Sequence, residues 1–251
     1  MKKFLFFVVA ATAMVLSACG STTVSKEDVV SKALNADINS AEVNGKIDVK
    51  LDSNGEKLDQ SVNLEMTYSQ EPFLTYLKMG TVEGDMEIYI DKDNTYLLLP
   101  EMPSWVKTPT NDTAEFSELA AGQSIEEDLD KLRKFEELFE LESVEDGYSL
   151  KVNLAEDANE EEFALVKEVL KDSVQEIEVE DVKIHTFDYI LTLDKEYLLK
   201  SAVAKMDIDV TAEGETVNMI TAVDVKYSNV NKVKEFKVPA EVVENAAEIA
   251  E

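Results

Sequence analysis

The sequence predicts an α+β fold, a long-stranded antiparallel sheet covered by a few helices on one face. Three observations predict it. Apolar and polar residues alternate over stretches long enough for extended strands, as at Val62, Leu64, Met66 and Tyr68. Two stretches in the middle of the chain switch to the 3.6-residue helical period. Turn residues separate consecutive alternating runs, as antiparallel hairpins require.

The elements follow in order. Ser25 and Asp28 form a capping-box pattern, and Val29, Val30, Ala33 and Leu34 share one face, which predicts a short helix over 26–36. From Glu42 the period becomes two, through Val43, Ile47, Val49 and Leu51, and Ser53-Asn54-Gly55 supplies a turn with a glycine for positive φ. The returning strand runs through Val62 to Tyr68. Pro72 breaks the pairing before Phe73, Leu74, Tyr76, Leu77 and Met79. Met86, Ile88 and Ile90 begin another hairpin, turning at Asp91-Lys92-Asp93-Asn94 and returning through Tyr96 to Leu99. Pro100, Pro103 and Pro109 then punctuate a loop that contains Trp105-Val106-Lys107.

The middle of the chain reads as helical. Ser124 with Glu127 caps a stripe of Ile125, Leu129, Leu132, Phe135, Leu138 and Phe139, a helix over 125–141. Tyr148, Leu150, Val152 and Leu154 alternate as a strand. Asn159 with Glu162 caps a second helix over 160–172, with Phe163, Val166, Val169 and Leu170 inward. Three long strands follow, through Phe187 to Leu193, Ala202 to Val210, and Val217 to Tyr227, with Glu213-Gly214 turning between the last two. Val238-Pro239 opens a closing helix with Val242, Val243 and Ala246. Single apolar faces on the strands mean that one sheet face packs and the other meets water.

The chain starts with an address. Met1-Lys2-Lys3 precedes the apolar run Phe4–Leu16. Its thirteen residues rise only about 20 Å as a helix, short of a hydrocarbon core of about 30 Å, so it reads as a secretory h-region. The run ends in Leu16-Ser17-Ala18-Cys19, which resembles the lipobox of bacterial lipoproteins. That resemblance implies cleavage before Cys19 and a diacylglycerol thioether on it. The expected organisation is a signal peptide at 1–18, a lipidated cysteine with polar tether at 19–25, and one domain at 26–251. Cleavage leaves 22 basic and 53 acidic groups, a net charge of −31. Anionic surfaces repel such a body, so its attachment has to come from acyl chains.

Composition removes several functions. The whole chain carries −29, and Arg133 is its only arginine, so no basic stripe exists for nucleic acid. One cysteine and one histidine provide neither a disulfide framework nor a zinc site, and no metal or cofactor is expected. Asp91-Lys92-Asp93-Asn94 starts like a calcium loop, but Tyr96 stands where glycine is needed. No nucleophile elbow, phosphate loop or zinc-protease motif occurs. His185 lies in Asp181–Tyr189, in phase with Phe187 and Tyr189, and reads as a partly buried strand histidine with no catalytic partner. No catalytic residue is assigned, and the chain is read as a non-enzyme.

Lipobox, acidic meander, Glu83-Gly84 to Ile90, Trp105 to Lys107 and a terminal Val-Pro-Ala-Glu-Val segment together resemble a family of uncharacterised Gram-positive lipoproteins. That family is similar in turn to the lipoprotein-carrier superfamily of LolA, LolB and LppX. The resemblance implies an open half-barrel whose apolar face holds acyl chains, on a protein anchored at the outer face of the cell membrane. Methionine thioethers adapt to irregular apolar ligands. The pocket candidates are therefore Met66, Leu77, Met86, Ile88, Met206 and Met219. Two functions follow: binding of a lipid or other hydrophobic ligand in such a cavity, or a filled core whose acidic surface meets a protein partner in the cell envelope.

Overall fold

The computed structural model describes residues 24–110, 133, 135–155, 158–173, 181–212 and 214–248, with the side chains of 169–173 excepted. The signal peptide, Cys19 and most of the helix expected at 125–141 lie outside the described residues.

The strands are β1 (Ser40–Ser53), β2 (Glu56–Gln70), β3 (Phe73–Thr81), β4 (Gly84–Asp91), β5 (Asn94–Leu98), β6 (Val106–Pro109), β7 (Glu140–Val144), β8 (Gly147–Leu154), β9 (Asp181–Asp194), β10 (Leu199–Ala212), β11 (Glu215–Ser228) and β12 (Ala247–Glu248). They form one twelve-stranded sheet in the order β12-β6-β5-β4-β3-β2-β1-β11-β10-β9-β8-β7. The order does not close, so this is an open sheet. Every pairing is antiparallel except β12 with β6. Each meander is local in sequence, and the β1–β11 pairing joins the two into a single sheet.

Among the described residues three helices accompany it: α1 (Lys26–Leu34), α2 (Glu160–Ser173) and α3 (Ala240–Asn245). The Ser25 side chain accepts a hydrogen bond from the Asp28 amide at 3.1 Å and starts α1. At α2 the capping box is reciprocal. The Glu162 amide donates to Asn159 Oδ1 at 2.9 Å, and the Asn159 amide donates to Glu162 Oε2 at 3.1 Å. In the β1–β2 turn both Asn54 and Gly55 have positive φ, 53° and 88°, as a two-residue hairpin turn requires.

One sheet face, called inner here, carries the alternating apolar residues. The main core lies on it over β8–β10, where Leu150, Val152, Leu191 and Leu193 pack under Val29, Val30 and Ala33 of α1 and Val166 of α2. Phe135 and Phe139 join this core. A second cluster of Leu77, Ile88 and Ile90 occupies the same face on β3 and β4. A third, around Ala41, Val43 and Val230, lies where the chain enters β1 and leaves β11.

Four expectations change. Val106 to Pro109 form a strand because β5 offers a free edge, so the Trp105 segment is more than a loop. The expected 125–141 helix gives way by Glu140 to β7, whose Leu141 pairs with Leu150. Val243 of the closing helix is 45% exposed, and Val242 alone in α3 is buried. The outer face of β3–β6 is not simply wet. Leu74 and Tyr96 are buried there, and Tyr89 lies between Tyr76 and Trp105, its ring tilted against both, at centroid distances of 4.6 and 5.6 Å. The unbroken Phe73-Leu74-Thr75-Tyr76-Leu77 run is the sequence signal for a strand apolar on both faces.

Candidate ligand-binding face

Register carries the inner face across the middle of the sheet. On β1, Ile47 pairs with Val62 of β2 and Val223 of β11. Leu51 pairs with Leu58 and Met219, and Val223 pairs in turn with Ala204 of β10. Because side chains alternate with a period of two, these paired positions all project to one side. They form an apolar strip on β2, β1, β11 and β10, between the two main clusters.

Covering differs along this face. Leu193 is 0% exposed in the main core and Ile88 is 1% exposed in the second cluster. Ile47, Val49, Leu51, Val62, Leu64 and Val223 are only half-buried. With strands about 4.8 Å apart and a rise of about 3.4 Å per residue, the strip from Gly45 to Leu51 measures roughly 14 by 20 Å. Gly45 sits in its floor. A Cβ there would meet Val225 Cγ2 at 3.1 Å and the Asp224 carbonyl oxygen at 3.3 Å, so the valine lies flat over the backbone.

The six pocket candidates divide between clusters. Met66, Leu77, Met86 and Ile88 come together in the second cluster, where Leu77 and Ile88 are buried and the two methionines are half-buried at its border. Met206 and Met219 border the main core, also half-buried. The strip thus has methionines along both long sides. Its floor of Ile47, Val49, Val62 and Val223 was not singled out from the sequence, because alternation alone cannot distinguish a covered apolar residue from a half-covered one.

His185 does not share the phase of Phe187 and Tyr189. The β9–β10 register shifts between Asp207 and Ile208, and the extra residue re-aims the histidine. Its Nε2 lies 2.9 Å from Asp209 Oδ2. Asn218 donates through Nδ2 to Asp209 Oδ1 at 3.0 Å and to Asp207 Oδ1 at 2.8 Å. The Asn218 bond first, and His185 second, hold the Asp209 carboxyl below its usual range. A lowered carboxyl contributes stability at neutral pH that disappears as pH falls through the aspartate range near ~3.9. Asp209→Asn should therefore destabilise the protein at pH 7, and the difference should shrink on acidification from about pH 5 to pH 3, as urea midpoints will show. Among the described residues no three His, Cys, Asp or Glu side chains are grouped to hold a metal ion. None of their helices is long and apolar enough to cross a membrane.

The Mycobacterium tuberculosis lipoprotein LppX is similar at 10% identity and TM-score 0.42, covering 85% of this chain and 100% of its own. A LolA superfamily protein from Nitrosomonas europaea is similar at 9% identity and TM-score 0.27, covering 86% of this chain and 96% of its own. An outer membrane lipoprotein-sorting protein domain from Vibrio parahaemolyticus is similar at 8% identity and TM-score 0.28, covering 84% of this chain and 96% of its own. No curated protein matches. Residues 25–247 match a family of unknown function, DUF6612, and the chain belongs to it.

Proposed function

We propose that this DUF6612 member is a non-enzymatic lipoprotein that binds a lipid or other hydrophobic ligand on the inner face of its sheet. In this reading residues 1–18 are removed, Cys19 carries the diacylglycerol anchor at the outer face of the membrane, and 26–251 act as one domain. The half-buried strip supports it most directly. A sheet that only needed a core would cover its apolar face, since each exposed CH₂ forgoes about 0.8 kcal/mol of burial. Here the cover is complete at Leu193 and Ile88 and incomplete at Ile47, Val62 and Val223.

Ligand chemistry follows from the lining. The floor is mostly aliphatic, with Gln60 and Thr221 flanking Val49, and its borders are thioethers, which suits a flexible acyl chain better than a rigid polar molecule. A single myristoyl chain enters a bilayer with a constant of about 10⁴ M⁻¹, so a one-sided strip predicts a dissociation constant on the order of 100 μM.

A fluorescent fatty acid should bind the protein saturably. Ile47→Glu, which puts a carboxylate between Val62 and Val223, should weaken binding at least about tenfold, because a charge facing an acyl chain is costly to desolvate. Circular dichroism should show the sheet retained. If no fatty acid or phospholipid analogue binds while the fold is intact, the reading fails.

A further inference from the structure

The two ends of the sheet differ. One end collects the turns β1–β2, β3–β4 and β10–β11, with Gly55, Gly84 and Gly214 at positive φ. The opposite end collects the turns β2–β3, β4–β5, β7–β8 and β9–β10. Val82, in the β3–β4 turn, is 88% exposed, and Leu58, at the start of β2, is 49% exposed. These are the two most exposed large apolar side chains among the described residues, and they share the first end. The opposite turns carry Glu71-Pro72, Lys92-Asp93, Glu145-Asp146 and Lys195-Glu196, and the most exposed large apolar residue there is Val144 at 38%.

The apolar strip runs out at the first end. Leu51 and Leu58 are its last paired floor residues, with Met219 beside them. Along β1 an acyl chain therefore has an apolar path from Ile47 through Val49 and Leu51 to the exposed Leu58, with Gln60 and Thr221 on either side of Val49. No such path exists at the opposite end, where Ala41, Val43 and Val230 are buried.

An independent observation concerns where the chain enters. The Lys26 ammonium at the start of α1 donates to the Glu137 carbonyl oxygen at 3.2 Å, three residues ahead of β7. β7 begins at Glu140 and runs toward its turn at the opposite end. Near the other end of α1, Lys32 Nζ donates to Tyr197 Oη at 3.1 Å, and Tyr197 lies in the β9–β10 turn at that opposite end. α1 is thus laid with its N-terminus toward the apolar turns. Residues 19–25 reach at most about 25 Å. The chain therefore leads back toward Cys19 from the end of α1 that points to the turns of Val82 and Leu58.

We infer that the end bearing Val82 and Leu58 is the membrane-contacting end, and that the apolar strip exchanges its ligand with the bilayer there. The inference rests on the lipid-binding and anchoring reading above and adds the orientation and the partner surface. Glu56, Glu83, Asp85 and Glu215 lie in or beside the turns of this end, against one lysine, Lys57, next to Leu58, so carboxylates outnumber cations there. The surface it fits is therefore zwitterionic or uncharged, since anionic headgroups repel those carboxylates.

Lipidated protein in phosphatidylcholine vesicles tests this. An environment-sensitive fluorophore on a cysteine introduced by Val82→Cys should be quenched by nitroxide lipids, and the same label introduced by Lys195→Cys should not. Raising the phosphatidylglycerol fraction should reduce the quenching at position 82. Equal quenching at both positions, stronger quenching at 195, or none at either overturns the orientation. In a second arm, Val82→Ser should leave fatty-acid affinity in solution unchanged. The same variant should slow transfer of that fatty acid from vesicles at least about tenfold, the factor equivalent to about 1.4 kcal/mol of lost apolar contact. Unchanged transfer overturns the exchange route. Protein that never floats with the vesicles overturns the anchoring reading and the inference together, whereas floating protein that binds no fatty acid in solution overturns the ligand reading and the exchange route, and the quenching contrast alone then decides the orientation.

Discussion

Gly147→Ala should cost at least about 3 kcal/mol, the largest stability loss expected from any single methyl group in this chain. Gly147 starts β8 at φ +147° and pairs with Asp194 of β9. A Cβ built there would stand 2.0 Å from the Leu193 carbonyl oxygen and 2.7 Å from the Asp194 carbonyl carbon. Both are backbone atoms, so no rotamer change relieves the clash and β8 has to separate from β9. That separation opens the floor of the main core at Leu150 and Leu191, which face each other across the same pair of strands. Gly55→Ala is the internal control. Gly55 also has positive φ, +88°, but a Cβ there meets nothing within 4 Å. It should cost only the local backbone strain, about 1 kcal/mol. Urea unfolding of the two variants separates clash from strain, and equal midpoints would show that the β8–β9 contact is not what requires glycine.

The second large effect is a contrast between two truncations on the same sheet face. Leu193 is 0% exposed and packs in the main core, so Leu193→Ala should cost about 3–5 kcal/mol through lost transfer energy and an unrelieved cavity. Ile47 lies on the half-buried strip, where water or ligand already meets part of its surface. Ile47→Ala should cost about 1–2 kcal/mol, because less burial is lost and no closed cavity is left. Saturating fatty acid should stabilise the parent protein more than the Ile47→Ala variant, since a ligand raises stability by RT ln(1 + [L]/Kd) and the variant binds it more weakly. Equal costs at the two positions would identify the strip as ordinary core. The Asp209 pair lies on the other face and should be insensitive to ligand, which makes its pH response a check that the fold is unchanged.

The comparison of sequence and structure divides along physical lines. Local chemistry was legible because it acts over three or four residues. Ser25 and Asn159 cap the helices they were expected to cap, and Asn54-Gly55 turns where a positive φ was required. Strand phase was legible wherever the period of two ran unbroken, so Val62, Leu64 and Met66 share one face as expected. It failed at His185, because a bulge inserts one residue and reverses every orientation beyond it without leaving a mark in the alternation.

By itself the sequence determined the class of fold, an antiparallel sheet apolar on one side, together with its hairpins, its caps and its strongly acidic surface. Each follows from residue types and short spacings. Only the tertiary structure decided that the two meanders merge through β1 and β11 into one open sheet, since that pairing joins residues from Asp52↔Asn218 to Glu42↔Ser228, 166 to 186 positions apart. The same long-range pairing decided where the apolar face is covered. Helix α1 and Val166 close over Leu150 and Leu193 but not over Ile47 and Val223. Burial depends on what lies above a side chain, and no period along the strand encodes it.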